Sequence, residues 1–218
     1  MKALFYISIL FVFLLFSCTK FGRNITVKGK VVNPITGTTY SNLKVQLVKS
    51  ESLSLPGGFK EIKHTFTDEN GNFEINASRI SKIWVQIQSG SELYVLGWYQ
   101  DGEYISDNFR ATAQKRETME ADFHVVPYSY SKLIINNVNC QDSNDLLVLY
   151  RQNQFETLDG AFGWEHEGCA YWETNGYSEI LMGNQYYKWE VTRGGITEVF
   201  YDTVFYSAGE QSTYEINY

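Results

Sequence analysis

Proline is scarce in this chain, three in 218 residues, which excludes a Pro-rich linker architecture. Histidine and cysteine are equally sparse at three each, too few for the paired ligand clusters of a structural zinc site. Basic residues are in the minority, 18 against 25 acidic ones for a net charge of -7, so the dense Lys/Arg face that a polyanion needs is missing and nucleic acid is excluded as a partner. There is no Gly-x-Ser-x-Gly elbow and no phosphate-binding glycine loop. Beyond the N-terminal segment no stretch sustains an i, i+3, i+4, i+7 apolar pattern over three turns. What remains is a chain that is 44% hydrophobic and 16% aromatic, enough to bury one large core or two small ones.

The N-terminus carries the clearest signal. Lys2 forms a short positive region, and Ala3 to Phe16 is an apolar run interrupted only by Ser8 that stops at Ser17-Cys18. A bilayer-spanning helix needs about 20 apolar residues, so this run reads as a cleaved signal peptide over residues 1–17. Leu15-Phe16-Ser17-Cys18 resembles the lipobox of bacterial lipoproteins. That resemblance implies that Cys18 becomes the lipid-bearing first residue, with acyl chains that hold the protein to a lipid bilayer. Several chains, at about 0.8 kcal/mol per buried methylene, give a lasting anchor where one would not. The alternative is an ordinary signal peptide with an incidental cysteine.

Export changes how the other two cysteines read. Cys140 and Cys169 are alone in an oxidising compartment, and a disulfide between them is expected, the alternative being two buried thiols. A metal reading of His166-Glu167-Gly168-Cys169 lacks a second ligand pair, so no metal is expected, and nothing in the sequence asks for a cofactor.

The remainder reads as strands. Ile25, Val27, Gly29 and Val31 alternate with other residues, as do Leu43, Val45 and Leu47, then Ile83, Val85 and Ile87, then Met119, Ala121, Phe123 and Val125. Turn signals separate them, among them Asp68-Glu69-Asn70-Gly71-Asn72. That turn alternates oxygen donors, but its glycine and acidic spacing do not fit a calcium loop, and Asn-Gly supplies the positive φ of a tight turn. "ITVKGKVVNPITGTTYSNLKVQLVKS", "HTFTDENGNFEI" and "EADFHVVPY" together resemble the carboxypeptidase regulatory-like, or transthyretin-like, domain. The resemblance covers about residues 25–127. It implies a β-sandwich of seven strands in a structural or interaction module without catalysis. The enzymatic transthyretin-like hydrolases end in Tyr-Arg-Gly-Ser; this chain ends Tyr214-Glu215-Ile216-Asn217-Tyr218.

Residues 128–218 read as a second β domain: Leu146, Val148 and Tyr150 alternate, Gly194-Gly195 joins two strand-like runs, and Tyr214, Ile216 and Tyr218 close the chain. A shift of 105 residues aligns Asn70-Gly71 with Asn175-Gly176 and Trp84 with Trp189, a diverged repeat or a chance likeness of turn-rich strands. The expected architecture is all-β: two consecutive antiparallel β-sandwich domains, transthyretin-like or Ig-like, at 25–127 and 128–218, after a lipidated tether at 18–24. Eighteen of the last 91 residues are aromatic, most of them expected in the core, with Trp164 and Trp172 offered as a surface stacking patch for sugar rings or peptide.

Charge divides unevenly. Residues 18–127 hold 13 basic and 12 acidic groups, whereas residues 128–218 hold 4 and 13. Lys20, Arg23, Lys28 and Lys30 cluster beside the tether with no acidic residue among them, each able to contribute about 1 kcal/mol near an anionic lipid surface. The reading is a lipid-anchored, non-catalytic binding or structural module of the cell envelope, on the outer membrane and facing the periplasm in preference to the surface. Its partners are the bilayer and a glycan or an envelope protein. The alternatives are a carbohydrate-binding accessory protein and an enzyme with dispersed carboxylates.

Overall fold

The computed structural model describes residues 24–51, 58–78, 82–106, 110–113, 118–155, 163–169 and 171–218. The described residues are all-β, with no helix among them. In chain order the strands are β1 (Asn24–Val32), β2 (Lys44–Glu51), β3 (Gly58–Phe66), β4 (Asn72–Ser78), β5 (Ile83–Gln88) and β6 (Leu93–Gln100). Next come β7 (Glu103–Ser106), β8 (Arg110–Ala113), β9 (Thr118–Glu120), β10 (Asp122–Asn136), β11 (Leu146–Asn153) and β12 (Gly163–Glu167). The last are β13 (Tyr171–Glu173), β14 (Ser178–Leu181), β15 (Gly183–Arg193), β16 (Ile196–Tyr206) and β17 (Gln211–Asn217). Two compact units form, and neither is contiguous. Unit 1 takes the chain up to Lys30, Tyr40–Gln88 and Trp98–Asp122; unit 2 takes Val31–Thr39, Ser89–Gly97 and Phe123–Tyr218. The chain passes for the last time into unit 2 at Asp122/Phe123, five residues before the division expected at 127/128.

In unit 1 the alternation of β1 is realised in full: Ile25 and Val27 are buried between β4, antiparallel on one side, and β9, parallel on the other. Gly29 holds the next inward position because the chain running from β9 to β10 passes too close for a side chain: a Cβ there would collide with the carbonyl oxygen of Ala121. The second sheet has the order β3-β2-β5-β8 and is antiparallel throughout. Its buried residues Val45, Leu47, Ile83, Val85 and Ile87 are aliphatic, and on the first sheet Phe73 meets the edge of buried Trp98 at 6.1 Å between ring centroids. The Asp68 turn is structural. Asp68 Oδ1 accepts the backbone N–H of Asn70 at 2.9 Å and of Asn72 at 2.8 Å, and Gly71 has φ +74°.

In unit 2 the first sheet is built on β10, whose inward residues Phe123, Val125, Leu133 and Ile135 are buried. It pairs with β13 and β14 antiparallel and with β17 parallel over seven residues. A parallel pair needs a crossover, and the intervening chain supplies it by making the second sheet, β12-β11-β15-β16. Its β15–β16 hairpin turns on Gly194 and Gly195 with φ +54° and +80°, the doubly positive turn that Gly-Gly permits. The core between these sheets contains Leu133, Ile135, Leu147, Leu149, Tyr187, Val191, Ile216 and Tyr218. The parallel pairs of β10 with β17, and of β1 with β9 and β10, add to the antiparallel ladders expected.

Candidate functional site

Cys18, Lys20 and Arg23, and with them the signal peptide and tether, lie outside the described residues. Lys28 and Lys30 fall on β1, and the fold returns carboxylates to them. Lys28 Nζ is 3.1 Å from Glu120 Oε1, and Lys28 stands opposite Glu74 in the β1–β4 ladder. The backbone N–H of Lys30 donates to Asp122 Oδ1 at 2.8 Å. The absence of acidic residues holds along the chain but not across the strands.

Cys140 and Cys169 are joined as a disulfide with their Cα atoms 5.2 Å apart, closing a separation of 29 residues. The bridge crosses between the segment after β10 and the turn after β12. A polar knot supports it from beneath. Asn137 Nδ2 donates to Asp145 Oδ2 at 3.1 Å and to the Gly168 carbonyl at 2.9 Å, while Gln141 N–H reaches Asp145 Oδ2 at 3.0 Å. Arg193 completes the set, with Nε 3.2 Å from Asp145 Oδ2 and Nη2 3.0 Å from Asn137 Oδ1. The Asp145 side chain is 1% exposed. The Gln141 backbone N–H, then the Asn137 and Arg193 donors, hold its carboxyl below the usual range. The Asn137 amide, the Gln141 N–H and Arg193 all turn to protein acceptors here, while Asp145 Oδ1 is buried without a partner, and the arrangement reads as structural.

Trp164 and Trp172 fall on strands of opposite sheets. Trp164 lies on β12 opposite Leu149, and Trp172 lies on β13 opposite Ile135, so both have the inward parity of their sheets yet remain exposed. His166, two residues from Trp164 on the same face of β12, packs its ring against Trp172 with centroids 4.9 Å apart. The Arg151 guanidinium stands 5.5 Å over the Trp164 ring. Burial holds the imidazole of His166 below its usual pKa, and its ring packs into an aromatic rim. Such a rim offers flat apolar surface, with Arg151 as the polar neighbour, and suits stacking better than proton transfer.

Tyrosine chemistry in unit 2 lies in the core. Tyr187 and Tyr214 stack at 4.1 Å, Tyr187 Oη is 3.3 Å from Tyr206 Oη, and Tyr214 donates to Asp202 Oδ2 at 2.7 Å. Burial first, then the phenol and carboxylate partners, raises both Tyr187 and Tyr214 far above the ordinary phenol range.

Two features escaped the sequence reading. One is a cavity of about 530 Å³ in unit 1, lined by Phe59, Trp84, Arg110, Thr112 and Met119 among others, in which the Arg110 guanidinium lies 3.8 Å over the Phe59 ring. Its signal was the outward parity of Trp84 within Ile83-Trp84-Val85. The other is β16, where Val199, Phe200, Tyr201 and Phe205 are all exposed. The clue there was a run of eleven residues without Lys, Arg or Pro whose bulky groups occupy both parities. Among the described residues no group of three His, Cys, Asp or Glu side chains is placed to hold a metal ion, and no helix is long and apolar enough to cross a membrane.

No family model and no curated protein matches the sequence. Among solved structures the chain is similar to a streptococcal ancillary pilin at 10% identity and TM-score 0.33, covering 89% of this chain and 62% of the pilin, less than two thirds of its length. It is similar to a DUF3823 family protein from Bacteroides uniformis at 13% identity and TM-score 0.30, covering 84% of this chain and 99% of that one. A third likeness is to the minor pilin GBS52 of Streptococcus agalactiae, at 11% identity and TM-score 0.33, with 88% and 94% covered.

Proposed function

We propose that this chain is an exported lipoprotein of the cell envelope, held to the outer membrane through acyl chains on Cys18, whose sandwich units act as a non-catalytic binding module. The observation that carries the reading is the Cys140–Cys169 disulfide, because a cysteine-poor chain that spends its last two thiols on a bridge belongs to an oxidising compartment. The apolar run ending at Ser17-Cys18 supplies the route there. Metabolic labelling with a clickable fatty acid tests it: the wild-type protein takes up label and Cys18→Ser does not. Equal label on both refutes the anchor. Protease treatment of intact cells then separates a surface position, where the protein is cut, from a periplasmic one.

The rim of Trp164, His166 and Trp172 favours glycan as the ligand class, since exposed aromatic faces stack on the apolar faces of sugar rings. On a glycan array, binding that disappears in Trp164→Ala and Trp172→Ala supports this reading, and binding unchanged by both opposes it. For contact with the bilayer we propose that the basic residues beside the tether meet the headgroups, a surface that the acidic excess of residues 128–218 disfavours. Because Lys28 is engaged by Glu120, the attraction rests chiefly on Lys20, Arg23 and Lys30. The lipid-free protein should prefer anionic over neutral liposomes and lose the preference when Lys20, Arg23 and Lys30 are replaced with Ser. Absence of any preference removes this contact.

A further inference from the structure

Strand β16 ends its sheet, and among the described residues nothing pairs with its outer edge. Because the two-residue Gly194-Gly195 turn makes Arg193 and Ile196 the closing hydrogen-bonded pair, the even-numbered residues of β16 direct their backbone groups to β15. The backbone N–H and C=O of Thr197, Val199, Tyr201, Thr203 and Phe205 therefore point away from the sheet. The side-chain Oδ1 of Asp202 accepts the Thr203 N–H at 2.7 Å, as this geometry requires of an outward donor. Natural sheets protect such edges with short strands, Lys, Pro or bulges. The edge strand β3 does so: it carries Lys60, Glu61, Lys63 and His64, and its ladder with β2 slips at Leu47/Val48. Strand β12, the other edge of the β16 sheet, is five residues long with Glu165 and Glu167. Strand β16 has eleven residues in unbroken register with β15, and Ile196 and Tyr201 are 72% and 74% exposed.

We propose that this edge is a docking site at which an extended, Lys- or Arg-bearing segment of a partner polypeptide adds to the sheet as a fifth strand. The chemistry of the occupant follows from the two faces of β16. Glu198 and Asp202 lie on one face and Val199, Tyr201 and Phe205 on the other; the strand itself carries no Lys or Arg, and Lys188, opposite Tyr201 on β15, is engaged by Glu190. A strand that alternates basic and apolar residues sets its cations beside the two carboxylates and its apolar groups beside the aromatic row. The surrounding field agrees, with 13 acidic against 4 basic groups in residues 128–218. A second copy is the poorer occupant, since it would bring two more carboxylates and no cation to the seam. The proposal depends neither on the lipid anchor nor on the Trp164 rim.

The test uses the chain from residue 18 onward, carrying Cys18→Ser, and the labelled peptide Ac-Thr-Lys-Val-Lys-Val-Lys-Val-Thr-amide. Fluorescence anisotropy should show binding that weakens with salt, and amide exchange should slow at Val199 and Tyr201 but not along β3. Replacing the peptide's lysines with glutamates should abolish binding. N-methylation of alternate peptide amides should cost about tenfold or more in the set that faces β16, equivalent to about 1.4 kcal/mol, and much less in the other set. Because this comparison leaves the protein unaltered, it stands even if Val199→Pro, which deletes one outward N–H, fails to fold. Equal binding of both N-methylated peptides, binding of the acidic peptide as tight as that of the basic one, or no slowed exchange at Val199 and Tyr201 would overturn the proposal. So would self-association in the ultracentrifuge that protects these same amides without peptide.

Discussion

The two units solve the same problem, burying the inner faces of two sheets, with different materials. Unit 1 uses mostly aliphatic side chains, with Phe73 and Trp98 among them, and a glycine at the tightest crossing, and among its described residues no tyrosine is buried. Unit 2 buries Tyr187, Tyr206 and Tyr218, ties its loops with a disulfide, and seats the Asp145–Arg193 pair below it. Large rings fill a core with few residues, and their phenol oxygens call for partners, which Tyr187 and Tyr206 find in each other and in Ser131. Unit 2 therefore carries a polar network in its interior. The contrast teaches that stability here is chemically addressable: pH and redox conditions act on one unit, side-chain volume on the other.

The largest separation should come from alkali. Tyr187 and Tyr214 have folded pKa values raised above the unfolded value near 10, so the stability they contribute is complete below about pH 10 and is lost as pH rises beyond it. Unit 2 should unfold in alkali while unit 1 persists, with phenolate absorbance from these tyrosines appearing together with unfolding. Simultaneous loss of both units, followed by amide NMR, would break the comparison. Next, Cys140→Ser or reduction should cost about 3 to 4 kcal/mol by the chain-entropy relation for a loop of 29 residues. Denaturant unfolding should register that cost in unit 2 only.

Unit 1 has its own point of failure. Gly29→Ala forces a methyl group against the Ala121 carbonyl, and both partners are backbone, so about 2 to 3 kcal/mol should be lost as β1 and the β9–β10 junction move apart. The Asp68 turn should be unaffected, and its amide shifts provide the internal control. The smallest effect is expected at Lys28→Ser, where an exposed ion pair with Glu120 is removed for less than about 0.5 kcal/mol. A larger loss would mean that the pair organises the β1–β9 ladder, and would bring the two units closer in how they use charge.

Much of this was legible one strand at a time. The alternation of Ile25, Val27 and Val31 and that of Met119, Ala121, Phe123 and Val125 predict inward faces that are indeed buried, because side-chain parity is a local property. Gly71 and Gly194-Gly195 are legible for the same reason, as positive φ leaves a residue-type signature. The bridge between Cys140 and Cys169 followed from there being no other candidates. Pairings between distant strands leave no such mark. Nothing near Val31 announces Phe123 as its ladder partner, and nothing near Lys28 announces Glu120, so the interleaving of the units and the neutralised lysine were invisible. Trp164 and Trp172 were found by their polar surroundings, but the histidine that shares a strand face with one and packs on the other came from strand parity in two different sheets.

The threading of the chain constrains how the molecule comes into being. A polypeptide synthesised N-terminus first delivers residues 31–39 and 89–97 early, although their unit is finished only when β17 arrives, while unit 1 has all its strands once Asp122 has been made. The early segments therefore lack their last strand partners until the chain is nearly complete. Excising residues 128–218 as a fragment would remove strand segments from the same unit, so such a piece would begin life incomplete.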